Sequence, residues 1–277
     1  MKYIEALNRA RRKGRALGAF NIFNAQSIRA AAEAAKEAET EIIIQTSVKT
    51  VKYFGIWQLA SLMRALCRDC PYDVFLHLDH CREVEFACKC VDAGWDSVML
   101  DGSALPLEQN IEMCAAVSSY AHEHGVAVEG ELGRVMGVEE EIEVSEEVGR
   151  TSFEDCFRFL EESGIDSFAP GVGTAHGVYK GEPEIDFELV EQLAAASDIP
   201  IVIHGGTGLS KEVFRRLISL GASKINVSTA LKGAYYEGIK DFLKAEPAAS
   251  EPLALDTAAS EAIKRAVLEH LLIFGGK

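Results

Sequence analysis

Three apolar runs of strand character end in histidine. VFLHLDHC (74–81) closes on Asp79 and His80, GTAH reaches His176, and IPIVIHGG puts His204 at its end. An isolated Asp-His pair in such a place more often simply faces solvent, because burying both groups is costly unless they are paired or bound to a metal. Recurrence on three strands points instead to one convergent site. Three imidazoles form the donor set of a catalytic zinc centre, which keeps a fourth position open for water or substrate. Asp79, adjacent to His80, can act on a substrate at such a metal without being a ligand. Asp101 and the pair Glu129 and Glu131, at other strand ends, either orient the ligands or hold a second divalent ion.

A second constellation is rich in glycine and hydroxyls. HGGTG (204–208) supplies Gly205, Gly206 and Thr207, and INVST (225–229) supplies Asn226, Val227, Ser228 and Thr229. A lone GGTG is a weak turn signal. Next to a proposed metal ligand, and following the last two strands of a barrel, it reads as a phosphate cradle built from backbone N–H groups. Together the two constellations suit a small phosphorylated compound whose carbonyl or hydroxyl oxygen reaches the metal.

Those residues need a scaffold that gathers strand ends. The runs AFNIFN (19–24), EIIIQTS (41–47), DVFLHLDH (73–80), DSVMLDGS (96–103), VAVEGELG (126–133), DSFAPGVG (166–173), IPIVIHGG (199–206) and SKINVST (223–229) alternate with helical patterns. Eight strand–helix units without a linker predict one (β/α)8 TIM barrel over 1–277, with a doubly wound open sheet as the alternative. In a barrel the polar strand ends, from Asn21 and Asn24 through Ser47, Asp101 and His204 to Thr229, share one rim. The acidic, glycine-punctuated stretch 133–152 reads as a mobile loop over that rim, or else as a disordered surface insertion. Residues 257–274 read as an amphipathic C-terminal helix.

Bulk composition narrows the partners. A hydrophobic share of 48% in 277 residues supports a full core, and a net charge of -15 argues against nucleic acid or an anionic membrane. The N-terminus lacks the apolar core of a signal peptide and looks like a basic amphipathic helix; no stretch reaches transmembrane length. The seven cysteines include one CxxC, Cys67 and Cys70, but no second at zinc-finger spacing. They read as reduced, mostly buried thiols of a cytoplasmic protein.

HLDH, MLDGS, EGELG, GTAHGVYKGEP, HGGTG and INVST, in that order, resemble the zinc-dependent class II ketose-bisphosphate aldolases of fructose- and tagatose-bisphosphate type. The resemblance runs from about Ala19 to the C-terminus. It implies a carbohydrate-metabolic lyase, with zinc on His80, His176 and His204 and with Asp79 as the catalytic acid/base. Asp101 and Glu131 match an alternative metal site, and Glu139 matches a loop glutamate that handles the proton at the enediolate carbon. The dihydroxyacetone phosphate part would contact Gly177, Lys180, Gly205 to Thr207 and Asn226 to Thr229. A monovalent cation near the phosphate is common in the family, and relatives are dimers or tetramers, so a homo-oligomer is expected.

One departure affects the substrate. Where the family carries an arginine for the distal phosphate, this chain reads Glu251-Pro252-Leu253, and leucine cannot neutralise a phosphate. Arg29, on the first helix of the barrel, is a candidate replacement, against the plainer reading of a solvent-facing helix residue; Ser47 also falls on that side. Fructose 1,6-bisphosphate is therefore the first expectation, then tagatose 1,6-bisphosphate or a ketose 1-phosphate with another C6 group. Among rival functions, a Schiff-base aldolase needs a lysine at a central strand end, which SFAPGVG lacks, Lys224 lying at the wrong end of its strand. A barrel hydrolase needs a His-x-His on the first strand, which AFNIFN lacks. A phosphosugar-binding protein would need neither Asp79 nor Glu139.

Overall fold

Strands covered by helices on one side and by one another on the other carry unbroken apolar runs. The computed structural model of the chain forms a barrel strand from each of the eight runs. It describes residues 1–133, 136–139, 142–144, 151–176, 184–248 and 250–276, with the backbone alone at 136–139, 142–144 and His176. The chain begins with α1 (Lys2–Arg12), β1 (Leu17–Asn21), α2 (Ala25–Ala38), β2 (Ile42–Ser47), α3 (Val48–Phe54) and α4 (Ile56–Leu66). Next come β3 (Val74–Cys81), α5 (Val84–Asp92), β4 (Ser97–Leu100), α6 (Leu107–Glu123) and β5 (Ala127–Leu132). The hairpin β6 (Met136–Glu139) and β7 (Ile142–Val144) precedes α7 (Phe153–Glu162), β8 (Ser167–Pro170) and the two-residue β9 (Ala175–His176). The last elements are α8 (Phe187–Ala196), β10 (Ile201–Ile203), α9 (Lys211–Ser219), β11 (Ala222–Val227), α10 (Thr229–Ala245) and α11 (Pro252–Phe274).

Eight of the strands close into a parallel barrel in the order β1-β11-β10-β8-β5-β4-β3-β2, so the first strand pairs with the last. This is the TIM-barrel expectation, and the open sheet is excluded. Three details differ from the sequence reading. The first strand stops at Asn21, and Asn24 instead caps α2: its Oδ1 accepts from Ser27 N while Ser27 Oγ accepts from Asn24 N. The last helix starts at Pro252, because Glu251 Oε1 accepts from Leu253 N and proline suits the first helical position. His176 does not close a barrel strand. Beyond β8 the chain turns through Gly173 at φ +84°, and Ala175–His176 joins a separate three-stranded sheet, β7-β6-β9.

Side chains alternate along a strand with a period of two, so each barrel strand sends every second residue inward. The lowest inward layer is apolar: Leu17, Ala19, Ile43, Phe75 and Ala127 pack with Tyr3, Ala6, Leu7 and Ala10 of α1. That i, i+3, i+4, i+7 set is one helix face, and it closes the bottom of the barrel. Two residues further along the same strands lie Asn21, Gln45, His77 and Glu129, all buried. The inward layers thus turn polar halfway up, where a barrel interior is ordinarily filled by branched apolar residues. The seven cysteines are free thiols, five of them buried. Among the described residues no helix is long and apolar enough to cross a membrane.

Candidate metal and phosphate site

Asp79 and His80 are consecutive, so a regular strand would point them to opposite faces. The β3–β4 register shifts between Leu78 and Cys81, and His80 adopts φ +47°, a left-handed conformation that side chains rarely take. This bulge turns both residues to the barrel mouth. Asp79 is 1% exposed; its Oδ2 accepts from Asn21 Nδ2 at 2.7 Å and Gln45 Nε2 at 3.2 Å, and its Oδ1 from Asn226 Nδ2 at 3.4 Å. Gln45 Nε2 also donates to Asn21 Oδ1 at 2.7 Å. Three neutral amides from three strands therefore aim one carboxylate.

The imidazoles of His80 and His204 converge: His204 Nδ1 lies 3.1 Å from His80 Nε2. Each ring is held from behind by a carboxylate. His80 Nδ1 lies 3.3 Å from Asp101 Oδ2, and His204 Nε2 lies 2.9 Å from Glu129 Oε1. Two ring nitrogens that close, each backed by an acid that orients it, fit shared coordination of a cation. Burial lowers the pKa of His204, more than the Glu129 hydrogen bond raises it, and the neighbouring His80 lowers it further. The ring is thus neutral at neutral pH, with a lone pair to give. Donor atoms of Asp79, His80 and His204 lie within 4.8 Å of one another, as do those of His80, Asp101 and Glu131.

Beneath the rim runs a buried ionic chain. Lys224 Nζ, fully buried, donates to Glu129 Oε2 at 2.7 Å and lies 3.3 Å from His77 Nε2. The His77 ring stacks parallel to Tyr3 of α1 with centroids 6.1 Å apart. Burial, then the nearby Lys224 charge, keep His77 far below the usual imidazole range and so neutral. Burial pushes the Glu129 carboxyl up, but the Lys224 charge and the hydrogen bond to His204 outweigh it and hold Glu129 well below the carboxylate range.

The glycine turn after β10 is fixed to its neighbours. Gly205 has φ +68°, and a Cβ there would stand 2.5 Å from Ala175 O; Gly206 N donates to Asn226 O at 3.1 Å. Thr207 Oγ1 accepts from Ala230 N in the first turn of α10 at 3.3 Å. The turn therefore sits on a helix N-terminus, whose N–H groups and dipole favour an anion. Val227 packs its side chain in the helix–sheet core, and Ser228 makes no side-chain cap to α10.

Other expected residues fall elsewhere. The Ser47 hydroxyl caps α3 by accepting from Thr50 N at 3.3 Å. Arg29 is exposed on α2, and Leu253 is exposed at the start of α11. Gly177 and Lys180 lie outside the described residues, as do the side chains of His176 and Glu139 and the rest of the 133–152 loop at 134, 135, 140, 141 and 145–150. The backbone of β6 pairs with β9, setting Gly137 opposite His176. Sequence reasoning missed Gln45, His77 and Arg82 and misjudged Lys224. All but Arg82 carried a signal: 45/47, 77/79 and 224/226 are i, i+2 pairs, so each lies one inward layer below a rim residue.

Comparison with known proteins agrees with this geometry. The family model for fructose-bisphosphate aldolase class-II matches residues 1–277. The chain is 36% identical over 281 residues to the sulfofructosephosphate aldolase of Alkalicoccus urumqiensis, covering 100% of this chain and 98% of that one. It is 37% identical over 274 residues to the fructose-bisphosphate aldolase of Geobacillus stearothermophilus, covering 98% and 95%. The crystal structure of the YdjI aldolase from Escherichia coli K12 superposes with a TM-score of 0.84 at 28% identity, covering 98% and 96%.

Proposed function

The chain belongs to the class-II fructose-bisphosphate aldolases, and from that premise we propose that it cleaves a ketose 1,6-bisphosphate, fructose 1,6-bisphosphate first, to dihydroxyacetone phosphate and an aldehyde. The observation that carries this reading is the buried carboxylate of Asp79, aimed by three amides and lying 3.9 Å from His80 Nε2 at the converging imidazole pair. His80 and His204, with His176 as the third ligand that the family resemblance assigns, would hold a zinc ion, which would supply Lewis acidity for the carbonyl.

The protein's own groups do the rest. Asn21, Gln45 and Asn226 hold Asp79 in one orientation, so it can take the proton of the C4 hydroxyl. As that oxygen becomes the aldehyde, the C3–C4 bond breaks and its electron pair delocalises from C3 into the C2 carbonyl. Glu139, on the hairpin strand paired with β9, returns a proton to C3. The 205–207 turn, the 226–229 segment, Gly177 and Lys180 bind the C1 phosphate, with a monovalent cation alongside. Lys224 does not serve a Schiff base, since its ammonium sits below the rim between Glu129 and His77.

The group at C6 is open to variation. Relatives of nearly equal identity bear fructose-bisphosphate and sulfofructosephosphate names, and Leu253 brings no charge. Arg29 and Ser47 are the residues we assign to that end; tagatose 1,6-bisphosphate or a C6-modified ketose 1-phosphate is the second choice. The protein is expected to work in the cytoplasm as a homo-oligomer, a dimer or tetramer. The test is a coupled assay for dihydroxyacetone phosphate release from a panel of ketose 1-phosphates. Cleavage should vanish with a chelator and return with zinc. Undiminished turnover by metal-stripped protein would refute the reading.

A further inference from the structure

His80 stands between two groups of metal-ligating atoms and can serve only one. Toward Asp79 and His204 it presents Nε2, and toward Asp101 and Glu131 it presents Nδ1, which lies 3.3 Å from Asp101 Oδ2 and 3.6 Å from Glu131 Oε2. A neutral imidazole has one lone pair; the other nitrogen carries a proton. Whatever fixes that proton decides where the cation goes.

Arg82, two residues beyond His80, makes the choice. Its Nε and Nη2 both donate to Asp101 Oδ2, at 3.2 and 3.0 Å. Asp101 Oδ1 accepts from Ser103 N at 3.2 Å and Ser103 Oγ at 2.6 Å. A carboxylate has about four lone-pair directions, so these donors and the His80 ring leave none for a metal. The guanidinium is permanently charged and cannot step aside by losing a proton. It also repels a divalent ion placed against the same oxygen.

We propose that Arg82 acts as a built-in cation that closes the His80–Asp101–Glu131 group to metal, keeps Asp101 as acceptor for His80 Nδ1–H, and so commits the His80 lone pair to the side shared with Asp79 and His204. Arg82 is a positioning residue: its side chain is 44% exposed, it acts through Asp101, and it makes this enzyme a one-metal centre. The inference rests on the metal-dependent reading above.

The experiment is Zn2+ titration of chelator-treated protein by calorimetry, with metal analysis of the dialysed product. Wild type should take one equivalent per chain. Arg82→Met should take two, Arg82→Lys one, and Arg82→Met with Asp101→Asn one again. A cooperative unfolding transition of each metal-free variant shows that it is folded before the titration, and Arg82→Met with Asp101→Asn, which removes the charge that Arg82→Met strands, should regain stability over Arg82→Met alone. Two equivalents in wild type, or one in Arg82→Met, would overturn the role given to Arg82. Zero equivalents in wild type would instead overturn the metal-dependent reading itself, and this inference with it.

Discussion

Replacing Lys224 with methionine probes how the floor of the site supports its ligands. Methionine keeps much of the stem's length but leaves the Glu129 carboxylate fully buried without its cation. At the 2.7 Å separation, direct attraction at an effective dielectric of about 20 amounts to about 6 kcal/mol. Desolvation offsets part of that, and breaking a buried pair by removing one partner typically costs about 3–5 kcal/mol. Urea unfolding of metal-free Lys224→Met should therefore show a loss of that size. Adding Glu129→Gln removes the stranded charge, so the double variant should recover about 1–2 kcal/mol over the single one. Zinc affinity should behave differently, because His204 has lost an anionic partner in the double variant and a firmly held one in the single. Both should bind zinc about 10–100-fold more weakly than wild type. A Lys224→Met protein within 1 kcal/mol of wild type, or a double variant less stable than the single, would refute the wiring described here.

Asp79→Asn should lower the cleavage rate by about 10²–10⁴-fold, with zinc content and unfolding midpoint unchanged; equal loss of metal would make Asp79 a ligand rather than a base. Gly205→Ala forces a side chain into φ +68° and a Cβ to 2.5 Å from Ala175 O, so it should cost more than about 2 kcal/mol and raise KM for the phosphorylated substrate. Among the thiols, burial pushes Cys67 and Cys114 up to about 12 and Cys81 and Cys156 up to about 11. At pH 8 native protein should therefore be labelled at the half-buried Cys70 and Cys88 well before those four, by mass spectrometry after brief alkylation. Early labelling of Cys114 would contradict the packing around it.

The barrel was legible because parallel strands buried on both faces write themselves as apolar runs, and the rim because polar residues ended those runs. His80 and His204 were found that way. His176 was assigned to the wrong strand, since GVGTAH reads as the tail of SFAP while Gly173 actually turns the chain into another sheet. Asn24 looks like rim chemistry in sequence but caps α2 in space, and a side chain's type alone cannot tell those uses apart. Lys224 was read as lying at the wrong end of its strand. A long side chain in the middle layer reaches a partner 95 positions away in the chain, a pairing no local pattern encodes.

The Tyr3–His77 stack carries a consequence for how this molecule comes into being. Helix α1 supplies the plug under the ionic chain, yet its berth is incomplete until β11 pairs with β1, Leu17 opposite Lys224. Such a closure joins parts of the sequence far apart along the chain, Leu17 with Lys224, and is slow for that reason. Until it happens, Lys224 and Glu129 have no dry interior in which to meet, so the competence to hold a cation should arrive together with the final seam of the cylinder.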